Sequence, residues 1–150
     1  MTKYPSGTET VMTIAAMAGY LDRNRIEPAQ ILCSPSRRTH ETLERMGETF
    51  GATIPTRFEK GIYLADVSAL LRRLKRLGDV DSVMIVGHNP GLQSLAWVLV
   101  GSGEEAIRAR LARKFPTGAL AVLNADIQEW RQLEAGRARL VDFVCPRDLE

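Results

Sequence analysis

Two short stretches place chemistry-bearing side chains where a chain can hold an anion. In ILCSPSRRTHET, residues 31–42, an apolar run meets a Ser-Pro corner and then Arg37 and Arg38. In VMIVGHNPGL, residues 83–92, a second apolar run ends on Gly87 and delivers His88 and Asn89 into a turn before Pro90. A guanidinium offers a rigid fork of N–H donors that matches phosphate, and it stays charged at any physiological pH. A helix opening behind such a group adds free backbone N–H donors, and Pro90 suits a first helical turn. Arg38 and Thr42 lie one turn apart on one face of the predicted helix, while Asn89 supplies an amide donor or a cap. Singly, an arginine pair opening a helix is ordinary solvated surface, and a histidine after a strand is an ordinary turn residue. Both at strand ends favour an anion site. Arg38 and His88 are the candidates for its centre, with Ser34, Thr42, Gly87, Asn89 and Arg37 around them.

Cys33 offers a rival chemistry. Cysteine-dependent phosphatases attack with a thiolate and hold phosphate in a loop with five residues between cysteine and arginine. Four residues separate Cys33 from Arg38, and Pro35 removes one loop amide. Cys33 also ends an apolar strand, so a buried, inert thiol with a raised pKa is expected, and the cysteine mechanism stands as the less favoured alternative. His40 is the other histidine of the chain; it turns away from the Arg38–Thr42 face and reads as surface or a minor substrate contact. Two separated histidines and two separated cysteines lack metal-ligand spacing, so neither metal nor cofactor is expected. The basic face of Arg72, Arg73, Lys75 and Arg76, and RARLARK at 108–114, read as solvated helix faces without the interleaved aromatics of a nucleic-acid patch.

The elements that must carry these residues follow from periodicity. Ser6 to Glu9 fits a capping box, before Val11, Ile14, Ala15, Ala18 and Leu21 at helical spacing. Gln30 to Cys33 is a short buried strand, stopped by Pro35, and a helix over about 37–50 buries Leu43, Met46 and Phe50. Asp66 caps a third helix with Val67, Leu70, Leu71, Leu74 and Leu77 on one stripe and Gly78 at its end. Residues 82–86 form a continuous apolar run of the kind found in strands covered on both faces. Helices are expected over 92–100 and 104–113, and strands in GALAVLNAD and ARLVDFVCP, the last two pairing antiparallel at one sheet edge. Strands alternating with helices give an α/β fold, a three-layer α/β/α domain with a mostly parallel central sheet. A chain of 150 residues suits one such domain over 1–150.

Composition narrows the partners. An apolar fraction of 45% and a charged fraction of 25% are those of an ordinary folded domain. A net charge of +2 is too mild to demand nucleic acid. The longest apolar run is far too short for a membrane span, and the N-terminus lacks a signal-peptide core. The two cysteines read as reduced thiols. A cytoplasmic protein with a phosphate-bearing partner, and with neither nucleic acid nor membrane, is the expectation.

With both motifs in view, the sequence resembles the histidine phosphatase superfamily, whose fold is phosphoglycerate mutase-like, and most of all its small SixA-type phosphohistidine phosphatases. The S-P-x-x-R-x-x-x-T pattern falls on Ser34, Pro35, Arg38 and Thr42, and V-G-H-N-P-G on residues 86–91. KFPTGALAVL and ARLVDFVCPRDL are also typical of that branch. The resemblance implies that Arg38 is the pocket arginine and His88 the second pocket histidine of a hydrolase. Its substrate would be phosphohistidine, on a protein or free, or another phosphomonoester, and no metal would be needed. The resemblance further implies a nucleophilic histidine in an Arg-His-Gly or Arg-His-Ala motif at the end of a central first strand. No histidine precedes His40, and SGTET stands where the branch carries an acidic-basic-glycine stretch. The family's first strand is therefore expected to be absent, through a late start or a trimmed chain sooner than as a natural pseudoenzyme. The alternative is a catalytically impaired phosphate- or phosphoprotein-binding module. Larger members carry a general-acid glutamate where this chain has Leu64, and the good leaving group of phosphohistidine needs less protonation.

One consequence is testable on the corner itself. Truncating a buried guanidinium that clamps a phosphate costs about 2–5 kcal/mol, and removing a rim charge costs little. Arg37 is rotated by about 100° from Arg38 around the helix. Arg38→Ala should therefore weaken phosphate or vanadate binding by roughly thirtyfold or more, and Arg37→Ala only a few-fold. Titration of both variants at two salt concentrations checks this; a larger loss at Arg37 would mean that the corner has the other register.

Overall fold

A computed structural model of the chain describes residues 8–10, 24, 27–37, 39–41, 43–44, 54–63, 65–87, 90–115, 119–145 and 148. The apolar run after Ser82 is a strand, Val83–Val86, and every side chain in it is at most 1% exposed. Such a strand is stable only with neighbours on both edges and cover on both faces. In chain order the sheet comprises β1 (Thr8–Thr10), β2 (Gln30–Cys33), β3 (Thr56–Phe58), β4 (Val83–Val86), β5 (Val100–Gly103), β6 (Leu120–Ala125) and β7 (Ala138–Val144). Their spatial order is β3-β2-β4-β1-β6-β7-β5, and β6 alone runs against the rest.

The alternation of side chains divides the core between the two faces of the sheet. Leu32, Val83, Ile85, Ala121 and Leu123 point to one face. There they meet α1 (Val67–Lys75), α2 (Gly91–Leu99) and α3 (Glu105–Arg113) through Leu70, Leu74, Leu92, Leu95, Leu99 and Leu111. Ile31, Cys33, Met84, Val86 and Val122 point to the other face, where Leu43 of the helical residues after Pro35 packs on them. The three layers and the mostly parallel sheet are as expected. Asp66 caps α1 as its sequence suggests, its carboxylate accepting from the Ala69 amide at 2.9 Å. No helix among the described residues is long and apolar enough to cross a membrane.

Several expectations need correction. Glu9 does not close a capping box: Thr8–Thr10 is a strand, parallel to β4 and antiparallel to β6. Those three residues lie between β4 and β6, two buried strands that would otherwise have open edges and stranded peptide groups. The predicted first helix, with Met46 and Phe50 of the second, lies outside the described residues. The antiparallel pair β6–β7 is not an edge, because β5 joins β7 in parallel beyond it. Both edge strands, β3 and β5, lack an apolar signal: β3 is exposed throughout and β5 reads Val-Gly-Ser-Gly.

The glycines of β5 have a packing reason. Gly136 adopts a left-handed φ of 76° and its N–H donates to the Val98 carbonyl at 2.9 Å, which presses its own carbonyl onto Gly101. A Cβ at Gly101 would run into that oxygen. Gly101→Ala should therefore destabilise the fold by about 1–3 kcal/mol, whereas Gly78→Ala, with open space around it, should not. Urea unfolding of both variants reads the difference, and equal midpoints would contradict the close approach.

Candidate functional site

The register of two strands sets the site. Cys33 lies level with Val86 across the β2–β4 ladder, and the Ser34 amide donates to the Val86 carbonyl at 2.9 Å. The two motif corners therefore leave the sheet side by side at the carboxyl ends of parallel strands. β1 ends on the other flank of β4, with Thr10 opposite Ile85. Of the expected site residues, Ser34 is fully buried at the first corner and Gly87 is buried at the second. Arg37 extends into solvent with its side chain 92% exposed and its Nε donating to Glu41 at 3.2 Å. Arg38, Thr42, His88 and Asn89 lie outside the described residues, as does Leu64.

What holds the first corner is a closed hydroxyl network. Ser36 opens the helical turn: its carbonyl accepts from the His40 amide at 3.1 Å and its Oγ from the Thr39 amide at 3.3 Å. Thr39, 1% exposed, donates its hydroxyl to the Ser34 carbonyl at 2.5 Å, and its Oγ1 lies 2.9 Å from Ser36 Oγ. Cys33 Sγ donates to the same Ser34 carbonyl at 3.2 Å. Burial pushes the Cys33 thiol up to about 11, only partly offset by its hydrogen bond with Thr39. A thiol so raised is a poor nucleophile near neutral pH, which counts against the cysteine-nucleophile alternative. His40 is half-buried and stacks on Phe58, ring centroids 4.0 Å apart and 7° from parallel. It thereby fastens the helical turn to edge strand β3.

The far wall is the segment that follows β3. The Glu59 amide donates to the Cys33 carbonyl at 3.0 Å, and a 3₁₀ turn, Lys60–Ile62, follows. Arg73 grips Glu59 with both arms, Nε to Oε1 at 2.6 Å and Nη2 to Oε2 at 2.9 Å. These hydrogen bonds hold the Glu59 carboxyl below the usual carboxylate range, despite its partial burial. It is an ionised anchor, unsuited to donate a proton near neutral pH. Arg73 is therefore not part of a solvated basic face. Arg110 likewise bonds Asp148 at 2.6 Å and sits over the Phe143 ring.

The same architecture recurs in known proteins. No protein-family model matches the sequence. An uncharacterized protein of Mycobacterium leprae is 36% identical over 131 residues, which are 86% of this chain and 78% of the relative. One of Mycobacterium tuberculosis is 33% identical over 132 residues, 86% of this chain and 80% of the relative. The chain belongs to the family of these mycobacterial proteins. Among solved structures, a proposed phosphohistidine phosphatase SixA of Agrobacterium tumefaciens superposes with a TM-score of 0.75 at 25% identity, covering 95% of this chain and 99% of that one. The protein histidine phosphatase SixA in complex with tungstate gives 0.73 at 18%, covering 96% and 99%. The phosphoglycerate mutase of Plasmodium falciparum gives 0.56 at 11%, covering 92% and 91%. The fold is that of the histidine phosphatase superfamily, and the likeness supports a phosphatase-type function.

A cavity of about 480 Å³ opens elsewhere in this histidine phosphatase fold. Its lining includes Arg76, Asp79, Asp81, Glu129 and Arg131, around the Trp130 indole that donates to the Val80 carbonyl at 2.7 Å. These residues precede β4 and follow the reversed β6, so the cavity faces the end of the sheet opposite the motif corners. Its size does not make it the site. Thr39 carries no signal of its own in the sequence beside the more conspicuous arginines, and the members of the Glu59–Arg73 pair are too far apart for a local pattern. Thr39→Val keeps the shape but takes one hydrogen bond from the Ser34 carbonyl and one from the Ser36 hydroxyl. It should cost about 1–3 kcal/mol in urea unfolding, with Thr39→Ser recovering most of it. An unchanged midpoint for the valine variant would deny the network its role.

Proposed function

We propose that this chain is a phosphohistidine phosphatase-type hydrolase, taking phosphate from phosphohistidine or another phosphomonoester in a pocket centred on Arg38 and His88. The observation that carries the reading is the side-by-side exit of the two corners, Cys33 level with Val86 and Ser34 tied to the Val86 carbonyl at 2.9 Å. Neighbouring strands are about 4.8 Å apart, so residues a few steps beyond those corners are within reach of one phosphate. Arg38 would clamp the oxygens bidentately and His88 would neutralise the charge that grows on them during transfer. Ser34, Gly87 and Asn89 would shape the floor, Thr42 would line the helix side, and Arg37 would face incoming substrate from the rim. That a SixA phosphatase of this fold was solved with tungstate, an oxyanion of phosphate-like shape, supports an anion site here.

A second reading has its own observation. β1 carries Thr-Glu-Thr beside β4, and no histidine precedes His40 to receive the phosphoryl group. On that reading the pocket binds a phosphate or a phosphoprotein without turning it over. Assaying the chain with phosphohistidine and with p-nitrophenyl phosphate separates the two. The hydrolase reading expects turnover that is abolished in His88→Ala and spared in Cys33→Ser. Phosphate binding without turnover would establish the binding module instead, and no phosphate binding at all would sink both.

A further inference from the structure

We infer that the Glu59–Arg73 ion pair is the positioning device of this site, holding segment 59–66 as a wedge between the corner after β2 and the turn that carries His88. The inference rests on the phosphate-pocket reading above and adds to it a pair that no motif includes. Glu59 is bound three ways at once. Its two oxygens take the Arg73 fork at 2.6 and 2.9 Å, its amide donates to the Cys33 carbonyl at 3.0 Å, and its carbonyl accepts from the Ile62 amide at 3.1 Å. Both side chains of the pair are largely covered, 16% exposed for Arg73 and 24% for Glu59. A covered bidentate pair resists rearrangement far better than a surface one.

The segment it anchors reaches the second corner at two points. Ile62, 3% exposed, places its Cγ2 just 3.4 Å from where a Cβ on Gly87 would stand. The Ala65 carbonyl lies so close to α2 that a Cβ on Gly91 would come within 2.6 Å of it. Gly87 precedes His88 and Gly91 follows Pro90, so the chain after Glu59 comes into close contact on either side of residues 88–89. The helix that carries Arg73 has anchors of its own. α1 is held by Leu70 and Leu74, at 2% and 0% exposure, and capped by Asp66. A partly buried ion pair can set geometry without adding much net stability.

The test uses the full chain with Glu59→Gln, Arg73→Met, Arg73→Lys and the Glu59→Gln/Arg73→Met double variant. Inorganic phosphate affinity is measured by calorimetry, thermal unfolding is followed in parallel, and amide hydrogen exchange is read at 59–66 and 87–92. Each of the Gln and Met variants should bind phosphate about tenfold more weakly and exchange faster at 87–92, with only a small fall in unfolding temperature. Arg73→Lys should recover part of the affinity, and the double variant should be no worse than either single. If Arg73→Met fails to fold because Glu59 is left unpaired, the double variant, which has no orphaned charge, carries the test. Phosphate affinity unchanged in the variants would overturn the inference, as would faster exchange confined to 59–66. If the parent chain binds no phosphate, the pocket reading falls by itself, and exchange at 87–92 still decides whether the pair positions that turn.

Discussion

Everything at the candidate site descends from the backbone pairing of β4. Its four residues show no face to water, so each peptide group must find a partner on a neighbouring strand. β2 takes one edge and β1 the other, both in parallel. Parallel pairing brings successive strand ends to the same side of the sheet, and the β2–β4 register puts the two corners at equal height. A slip of one residue would turn Cys33 and Val86 from one face to the other and separate the motifs. The site is thus a by-product of core burial.

What pairing does not supply, local polar groups do. At the first corner, the Thr39 hydroxyl donates to the carbonyl of Ser34, just beyond β2, and the Ser36 hydroxyl accepts from the Thr39 amide that opens the helical turn. On either side of the second, Gly87 and Gly91 are approached by Ile62 and the Ala65 carbonyl. Cys33 lies beneath the first as a space-filling apolar group whose thiol is kept neutral by burial, since a charge there would face desolvation with too little compensation.

Legibility in the sequence followed burial. β2 and β4 were readable to within a residue because a strand covered on both faces must be apolar throughout, and α1 because its stripe and its Asp66 cap agree. The two corners were readable because Ser-Pro and Gly-His-Asn-Pro interrupt such runs. β3 and β5 escaped because edge strands are freed from that demand: Thr-Arg-Phe and Val-Gly-Ser-Gly join the sheet without an apolar run. β1 was misread because Ser-Gly-Thr-Glu satisfies a helix cap as well as a strand, and only the open slot between β4 and β6 decides between them. The Glu59–Arg73 pair was invisible for a different reason, being made by the turn that folds β3 back toward α1.

The place of β1 also bears on how the molecule comes together. First in chain order among the strands of the described residues, it lies in the middle of the sheet, with Glu9 paired both to Met84 and to Val122. Neither neighbour is close in sequence, so the loop-closure entropy of both pairings must be met before the centre can form. Strands β2 to β4 can assemble as one parallel unit, and β5 to β7 as another, each around its own hairpin or crossover. The short strand that joins them is the seam, and its insertion is the step on which a slow folding rate, or a trapped two-part intermediate, would depend.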